Sequence, residues 1–425
     1  MLSMNERANK VIGPVAARAT SLGITRGEGC FMWDENNRKY IDFASGVAVC
    51  NTGHNHPEVV EAAKKQIDEL IHGGHNVVLY ESYVKLAEKL IEAMGGNRML
   101  YYSNSGAEAN EGAIKLAKYV NKRPAIISFT GAFHGRTLGA LSVTTSKSKL
   151  RQNYEGLLPS VYFAEYPNCF RCPFKQEKDK CDMECLKQFD RIFDHQVLPE
   201  SVAMIIMEPV AGEGGYIVPP KEFVKGLAEL CKKNGIFLIF DEIQTGFGRT
   251  GKLFAYQHFE VEPDIISCGK AIAGGFPLSA TIARKEIMEK WPAGAHGGTF
   301  GGNPVSCAAA LKVLELLQSG LLDNCQKMGD YFKNRLLKLK EKYSVIGDVR
   351  GLGLMIGAEF IQPETKAPNP DIVMKVRKYC LDRGLILLAC GSHYETIRFI
   401  APLIVTKDII DEAISIFEAA LKANI

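Results

Sequence analysis

Between about residues 95 and 285, short apolar runs alternate with amphipathic stretches. The runs are "RMLYY" (98–102), "AIISF" (125–129), "VAMIIM" (202–207), "IFLIF" (236–240), "DIISC" (264–268) and "SATIA" (279–283). A strand with one wet face alternates polar and apolar positions, whereas these are apolar almost throughout. They therefore predict a largely parallel sheet covered on both faces. The intervening "EANEGAIKLAKYVNK" and "PKEFVKGLAELCKKNG" place apolar residues at helical spacing and supply the cover.

After Asn303 the pattern changes. A long helix, "PVSCAAALKVLELLQSG", leads through "YFKNRLLKLKEKY" to the strand-like "GLMIGAEF", "LILLACG" and "ETIRFIAPL", then a last helix, "IIDEAISIFEAALKANI". Strands and helices grouped in this way predict a smaller α+β unit. The expected organisation is an N-terminal segment (1–55) packing with the small domain, a large α/β domain (56–310), and a C-terminal small α+β domain (311–425). An insertion interrupts the large domain at about 168–186.

Composition narrows the class. A chain of 425 residues, 46% hydrophobic and 23% charged, is long enough for a large core and ordinary for a globular protein. Its 51 basic and 48 acidic residues are scattered, which gives no reason to expect nucleic acid or an anionic membrane as partner. The first twenty residues lack the apolar core of a signal peptide, and no uninterrupted apolar run approaches membrane-spanning length. A cytoplasmic enzyme is the expectation. Eight cysteines are dispersed and read as buried reduced thiols. Cys169, Cys172, Cys181 and Cys185 instead crowd into "NCFRCPFKQEKDKCDMEC", spaced C-x2-C-x8-C-x3-C. Both a structural metal and a surface insertion with reduced thiols fit that spacing.

In a parallel sheet, ligands bind beyond the C-terminal ends of the strands. "RMLYY" is followed by Ser105, Gly106 and Ala107 ahead of a helix, where backbone N–H groups and the helix dipole suit a phosphate, although Ser105 equally suits a plain helix cap. "AIISF" is followed by Phe133, His134 and Arg136; "VAMIIM" by Glu208; "IFLIF" by Asp241, Glu242 and Gln244; "DIISC" by Lys270. Nucleotide loops fit poorly: "GAFHGRT" is a residue short of a Walker motif and has Arg in place of Lys, and "GLGLMIG" misses the dinucleotide spacing. Phosphate loop, aromatic ring, carboxylate and lysine in one crevice are the parts that pyridoxal 5′-phosphate (PLP) requires.

These motifs have a family likeness. From "YIDFASGVAVCNTGHNHPEVVEA" through "SGAEAN", "FHGRT", "EPVAGEGG", "DEIQTGFGRTG", "CGKAIAGGFPLS" and "GGTFGGNP" to "IRFIAPL", nearly the whole chain resembles the class III (ω-amino acid) aminotransferases of PLP fold type I. Among these it is most similar to 4-aminobutyrate aminotransferases. The resemblance implies a seven-stranded, mostly parallel sheet flanked by helices. It assigns Lys270 to the internal aldimine, Asp241 to the pyridinium nitrogen and Gln244 to the phenolic oxygen. Phe133 would stack on the ring, with His134 and Glu208 also at the cofactor, and Gly106 and Ala107 would hold its phosphate. Thr299 would reach the phosphate of a neighbouring subunit's cofactor, so a homodimer or larger homo-oligomer is implied. Glu242 is expected to be structural.

By the same resemblance Arg398 matches the residue that binds the α-carboxylate of glutamate, and Arg136 one that binds a distal carboxylate. Glu213 matches the acid that neutralises Arg398 when the donor has no α-carboxylate, and Val47 a substrate-side position. The guanidinium of arginine suits planar carboxylate pairing. Together they imply a ping-pong transfer from a 4-aminobutyrate-like donor to 2-oxoglutarate. Amino-acid racemases and ornithine or acetylornithine aminotransferases of the family are the alternatives. A catalytically silent binding protein would be expected to lack Lys270 or Asp241, and both are present. A metal- or redox-sensing module would need the cysteine cluster to dominate the chain. No residue that the resemblance marks as catalytic lies in the cysteine insertion, which is expected to be dispensable for chemistry.

Overall fold

The computed structural model describes residues 2–15 and 17–425. Three sheets carry the fold. β1 (Ile24–Glu28), β2 (Phe31–Asp34) and β3 (Lys39–Asp42) form the first with a later strand. The large sheet uses β4 (Arg98–Ser103), β5 (Ala125–Phe129), β6 (Val161–Ala164), β7 (Val202–Met207), β8 (Phe237–Asp241), β9 (Ile265–Cys268) and β10 (Ser279–Arg284). β11 (Ile346–Leu352), β12 (Met355–Phe360), β14 (Leu388–Cys390) and β15 (Thr396–Phe399) form the third, while β13 (Leu385–Ile386) lies parallel to β3 and completes the first.

The large sheet has seven strands in the order β4-β10-β9-β8-β7-β5-β6, as the resemblance implied. β6, β5, β7, β8 and β9 pair in parallel. Every residue of β5, β7 and β9 is buried, which is why their sequences lack polar alternation. Successive side chains go to opposite faces. Ile205, Met207, Leu238 and Phe240 join one apolar cluster, while Met204, Ile206 and Ile239 join another with Ala113 and Leu116 of the helix Gly106–Asn121.

β10 departs from the parallel pattern, pairing antiparallel with both β9 and β4. Only residues 269–278 separate β9 from β10, with a single short turn of helix, Lys270–Ala273, between them. A parallel return needs a crossover of a dozen or more residues, so the chain must come back antiparallel. This brings the start of β10 to the end of β4, where Ser279 Oγ donates to Ser105 O at 2.7 Å.

The helical stretch Pro304–Lys342 is long and apolar enough, by length and composition alone, to pass as a membrane span. It bends at Ser319 and Gly320 and sends Val313, Leu314, Leu317 and Phe332 into the core.

Candidate active site

The C-terminal ends of β5, β7, β8 and β9 and the helix after β4 enclose a cavity of about 210 Å3. Gly106, Ala107, Phe133, His134 and Glu208 line one part of it; Glu213, Asp241, Gln244 and Lys270 complete the polar set. A larger cavity of about 550 Å3, near Lys225 and Arg284, contains none of these groups.

Ser105 caps the helix Gly106–Asn121: its Oγ accepts from Glu108 N at 3.4 Å while Glu108 Oε2 accepts from Ser105 N at 2.9 Å. The hydroxyl is thus engaged locally, and Gly106 and Ala107 present first-turn amides to the cavity. A Cβ on Gly106 would come within 2.8 Å of Ile243, so this approach of helix to strand end requires glycine.

Asp241, at the end of β8, is 3% exposed and fully engaged. Its Oδ2 lies 2.7 Å from His134 Nδ1 and accepts from Asn110 Nδ2 at 2.8 Å, and its Oδ1 accepts from Ile243 N at 3.0 Å. Asn110 is oriented in turn by Ser267 Oγ, which donates to its Oδ1 at 2.5 Å. Glu242 turns the other way, accepting from Ala255 N, Tyr256 N and Thr245 Oγ1. Adjacent acids thus have separate duties: Asp241 faces the cavity, and Glu242 ties β8 to the helix Tyr256–Phe259.

Glu208 is a brace. It accepts from Phe133 N at 3.0 Å and Gly212 N at 3.0 Å, and burial pushes its carboxyl up to about 7. Lys270 begins the short turn after β9 with a left-handed φ of 46°, a strained position for a residue with a Cβ. Burial first, then Arg398, pull its amine down to about 8, against the opposing pull of Glu213, Asp241 and Glu208.

Glu213 meets Arg398 from β15, whose Nη1 donates to Glu213 Oε1 at 2.6 Å. Lys147 Nζ lies 3.9 Å from the other carboxylate oxygen and 3.7 Å from the Tyr394 ring centroid. Burial opposes ionisation of Glu213, but Arg398, with Lys147 and Lys270 behind it, holds the carboxyl below its ordinary value. Arg398 is shifted the opposite way, upward: burial works against its charge and Glu213 outweighs it.

Five candidates lie outside the cavity lining: Arg398, which reaches it only through Glu213, and four others. Arg136 is exposed, its Cζ 5.9 Å from the Phe133 ring centroid. Thr299 is exposed on the loop before the helix Pro304–Leu316. Val47 occupies a left-handed turn at φ 64° and is 38% exposed. Ser105 is the helix cap. The insertion's cysteines lie near one another, since Cys169, Cys172 and Cys181 all act on the Cys185 thiol, which burial chiefly raises to about 12. Among the described residues, no group of three or more His, Cys, Asp or Glu is arranged to hold a metal.

The family profile described as aminotransferase class III matches residues 12–421. The chain belongs to the class III aminotransferases. A probable 4-aminobutyrate aminotransferase of Bacillus subtilis is 40% identical, over 94% of this chain and 92% of its own. A leucine/methionine racemase of Thermococcus litoralis is 39% identical, over 98% and 94%. A taurine:2-oxoglutarate aminotransferase from Bifidobacterium kashiwanohense, solved with PLP and glutamate, superposes with a TM-score of 0.91 at 27% identity, covering 100% of this chain and 98% of that one.

For a class III aminotransferase, PLP is the implied cofactor, and the cavity suits it. Gln244 Oε1 and His134 Nε2 are buried without a partner, the helix start offers amides, and Lys270 is held ready to lose its proton. Sequence reasoning missed Asn110, Ser267 and Lys147. Asn110 alone carried a signal: an amide on the buried side of an otherwise apolar helix face needs a partner.

Proposed function

We propose that this chain transfers the amino group of an ω-amino acid of the 4-aminobutyrate kind to 2-oxoglutarate, with PLP in the Lys270 cavity. The observation that carries this is the Glu213–Arg398 pair, 2.6 Å apart beside Lys270. Closed, the pair presents no net charge to a donor without an α-carboxylate. Opened, it frees a guanidinium for the α-carboxylate of glutamate or 2-oxoglutarate.

When bound, PLP supplies an electron-withdrawing ring that takes up the pair left at the substrate carbon. The protein's part follows from its own geometry. Asp241, fixed by His134, Asn110 and the Ile243 amide, would keep the ring nitrogen protonated. Gln244 would bond the ring hydroxyl, Phe133 would cover the ring, and the Gly106 and Ala107 amides would hold the phosphate. Lys270 Nζ takes the proton from the amine-bearing carbon, and an amine near pKa 8 suits that duty. Arg136 would receive the distal carboxylate.

A second copy is part of the proposal. Phe300, beside Thr299, is exposed, and its ring lies 5.3 Å from that of His72 in a neighbouring segment that also exposes Ile71, Val77 and Leu79. An apolar patch of that kind favours subunit contact, which would bring Thr299 of the partner subunit to the phosphate. The buried thiols Cys231, Cys268 and Cys307 suit a reducing, cytoplasmic setting.

The racemase similarity keeps one alternative in play, because Lys270 and Asp241 serve that chemistry equally well. Substitution of the arginines separates the readings. Arg398→Ala should lower kcat/KM for the glutamate half-reaction by about one to two orders of magnitude, the usual cost of a charged pair, and spare the ω-amino half-reaction. Arg136→Ala should weaken ω-amino acids and dicarboxylates alike, since both carry a distal carboxylate, and spare neutral α-amino acids. Equal losses in both half-reactions from Arg398→Ala, or an Arg136→Ala variant that weakens neutral α-amino acids as much as ω-amino acids, would overturn the assignment.

A further inference from the structure

The loop carrying Glu213 is held by more than Arg398. Ala211 and Ile217 form an isolated antiparallel bridge, so residues 211–217 make a closed loop with Glu213 near its tip. The small sheet grips that loop at two more backbone points. Gly391 N donates to Glu213 O at 2.9 Å, and Arg350 donates twice to Gly215 O, from Nε at 2.9 Å and Nη2 at 2.7 Å.

Arg350, Gly357 and Arg398 stand in register across β11, β12 and β15. A Cβ on Gly357 would approach Tyr216 Cβ to 3.1 Å and Thr396 Cγ2 to 3.0 Å, so the glycine leaves the space in which the loop lies between the two arginines. A Cβ on Gly215, whose φ is +125°, would come equally close to Arg350 Nη2.

Arg350 is fixed in turn. Its Nη1 reaches Asp348 Oδ2 at 2.9 Å and Glu359 Oε2 at 2.6 Å. Glu359 is buried and carries a second cation, Arg171, whose Nε donates to Oε1. Arg171 stands between Cys169 and Cys172 in the insertion, and its Nη1 also donates to Lys366 O at 2.9 Å.

We propose that Arg350 is a positioning residue that seats Glu213 against Arg398, and that the cysteine-bearing insertion braces it through Arg171 and Glu359. The proposal rests on the reading of Glu213 as the group that neutralises Arg398. For donors to alternate, the Glu213 side chain must leave Arg398 and return while its backbone stays still. Two donors on Gly215 O, two residues away, supply that fixed point. The insertion thereby takes part in donor selection, although no catalytic group lies in it.

Two readouts test this. In the cofactor-free chain, hydrogen exchange of the 212–217 amides should quicken about tenfold in Arg350→Met and about threefold in Arg171→Met. Exchange should be partly restored in Arg350→Lys and Arg171→Lys. In the holoenzyme, the ratio of kcat/KM for 4-aminobutyrate to that for glutamate should fall about tenfold in Arg350→Met, with little change for glutamate. Glu213→Gln should lower the same ratio, and adding Arg350→Met to it should lower the ratio no further, because both act through one contact. Unchanged exchange, or equal losses in both half-reactions, would overturn the proposal. If Arg350→Met does not fold, Arg171→Met carries both readouts from the half-exposed end of the chain of contacts. A ratio indifferent to Glu213→Gln would overturn the functional reading instead, whatever the exchange shows.

Discussion

Lys270→Met removes a buried cation and should stabilise the cofactor-free protein at neutral pH. Burial, with Arg398, lowers the Lys270 amine from 10.5 to about 8, and that shift corresponds to about 3 kcal/mol. The unfolded chain binds the proton near 10.5 and the folded chain near 8. Below pH 8 both forms are protonated and the folded state bears the whole penalty. Between pH 8 and 10.5 the unfolded chain binds more protons, so folded stability rises with pH through that window. The variant should therefore exceed the parent by up to about 3 kcal/mol at pH 7, with the excess fading towards pH 10.5. Urea unfolding of both cofactor-free proteins at pH 7, 8.5 and 10 measures the difference. A difference independent of pH, or a parent more stable at pH 7, would refute the claim that the amine is held low. The same shift has a chemical use: about a tenth of the amine is neutral at pH 7, against less than a thousandth for an ordinary lysine.

Asp241→Asn should retain the cofactor yet lose most turnover, because a neutral ring nitrogen is a poor electron sink; kcat near that of the parent would show that this carboxylate is not the anchor. The Cys169/Cys172/Cys181/Cys185→Ser variant keeps Arg171, so both half-reactions should stay within about twofold while thermal stability falls at most modestly. A large loss of turnover in the folded variant would make the thiols part of the chemistry.

Much of the fold was legible because its central strands are buried on both faces and so appear as unbroken apolar runs. The reversal of β10 was not, since "SATIA" is equally apolar in either direction and only the short link from β9 sets its sense. At the site, strand-end chemistry pointed to Phe133, Asp241 and Lys270, which line one cavity. Ser105 shows how a motif position divides its work: the hydroxyl closes a capping box, while the amides after it face the cavity. The partners of the supporting groups were invisible because they are distant in sequence, even where a group such as Asn110 signalled that it needed one. Asn110 finds Asp241 only through the crossing of a helix and a sheet, and Arg350 meets Gly215 only because two sheets enclose one loop.

The most direct measurement follows the nitrogen itself. Purified holoenzyme is incubated with 15N-labelled 4-aminobutyrate and unlabelled 2-oxoglutarate, and the glutamate formed is weighed by mass spectrometry, with optical rotation of neutral α-amino acids followed in parallel. The account predicts 15N-glutamate that requires both substrates, and stable rotation when no oxo acid is added. Loss of rotation without an acceptor, and no label in glutamate from 4-aminobutyrate or another ω-amino acid, would contradict it.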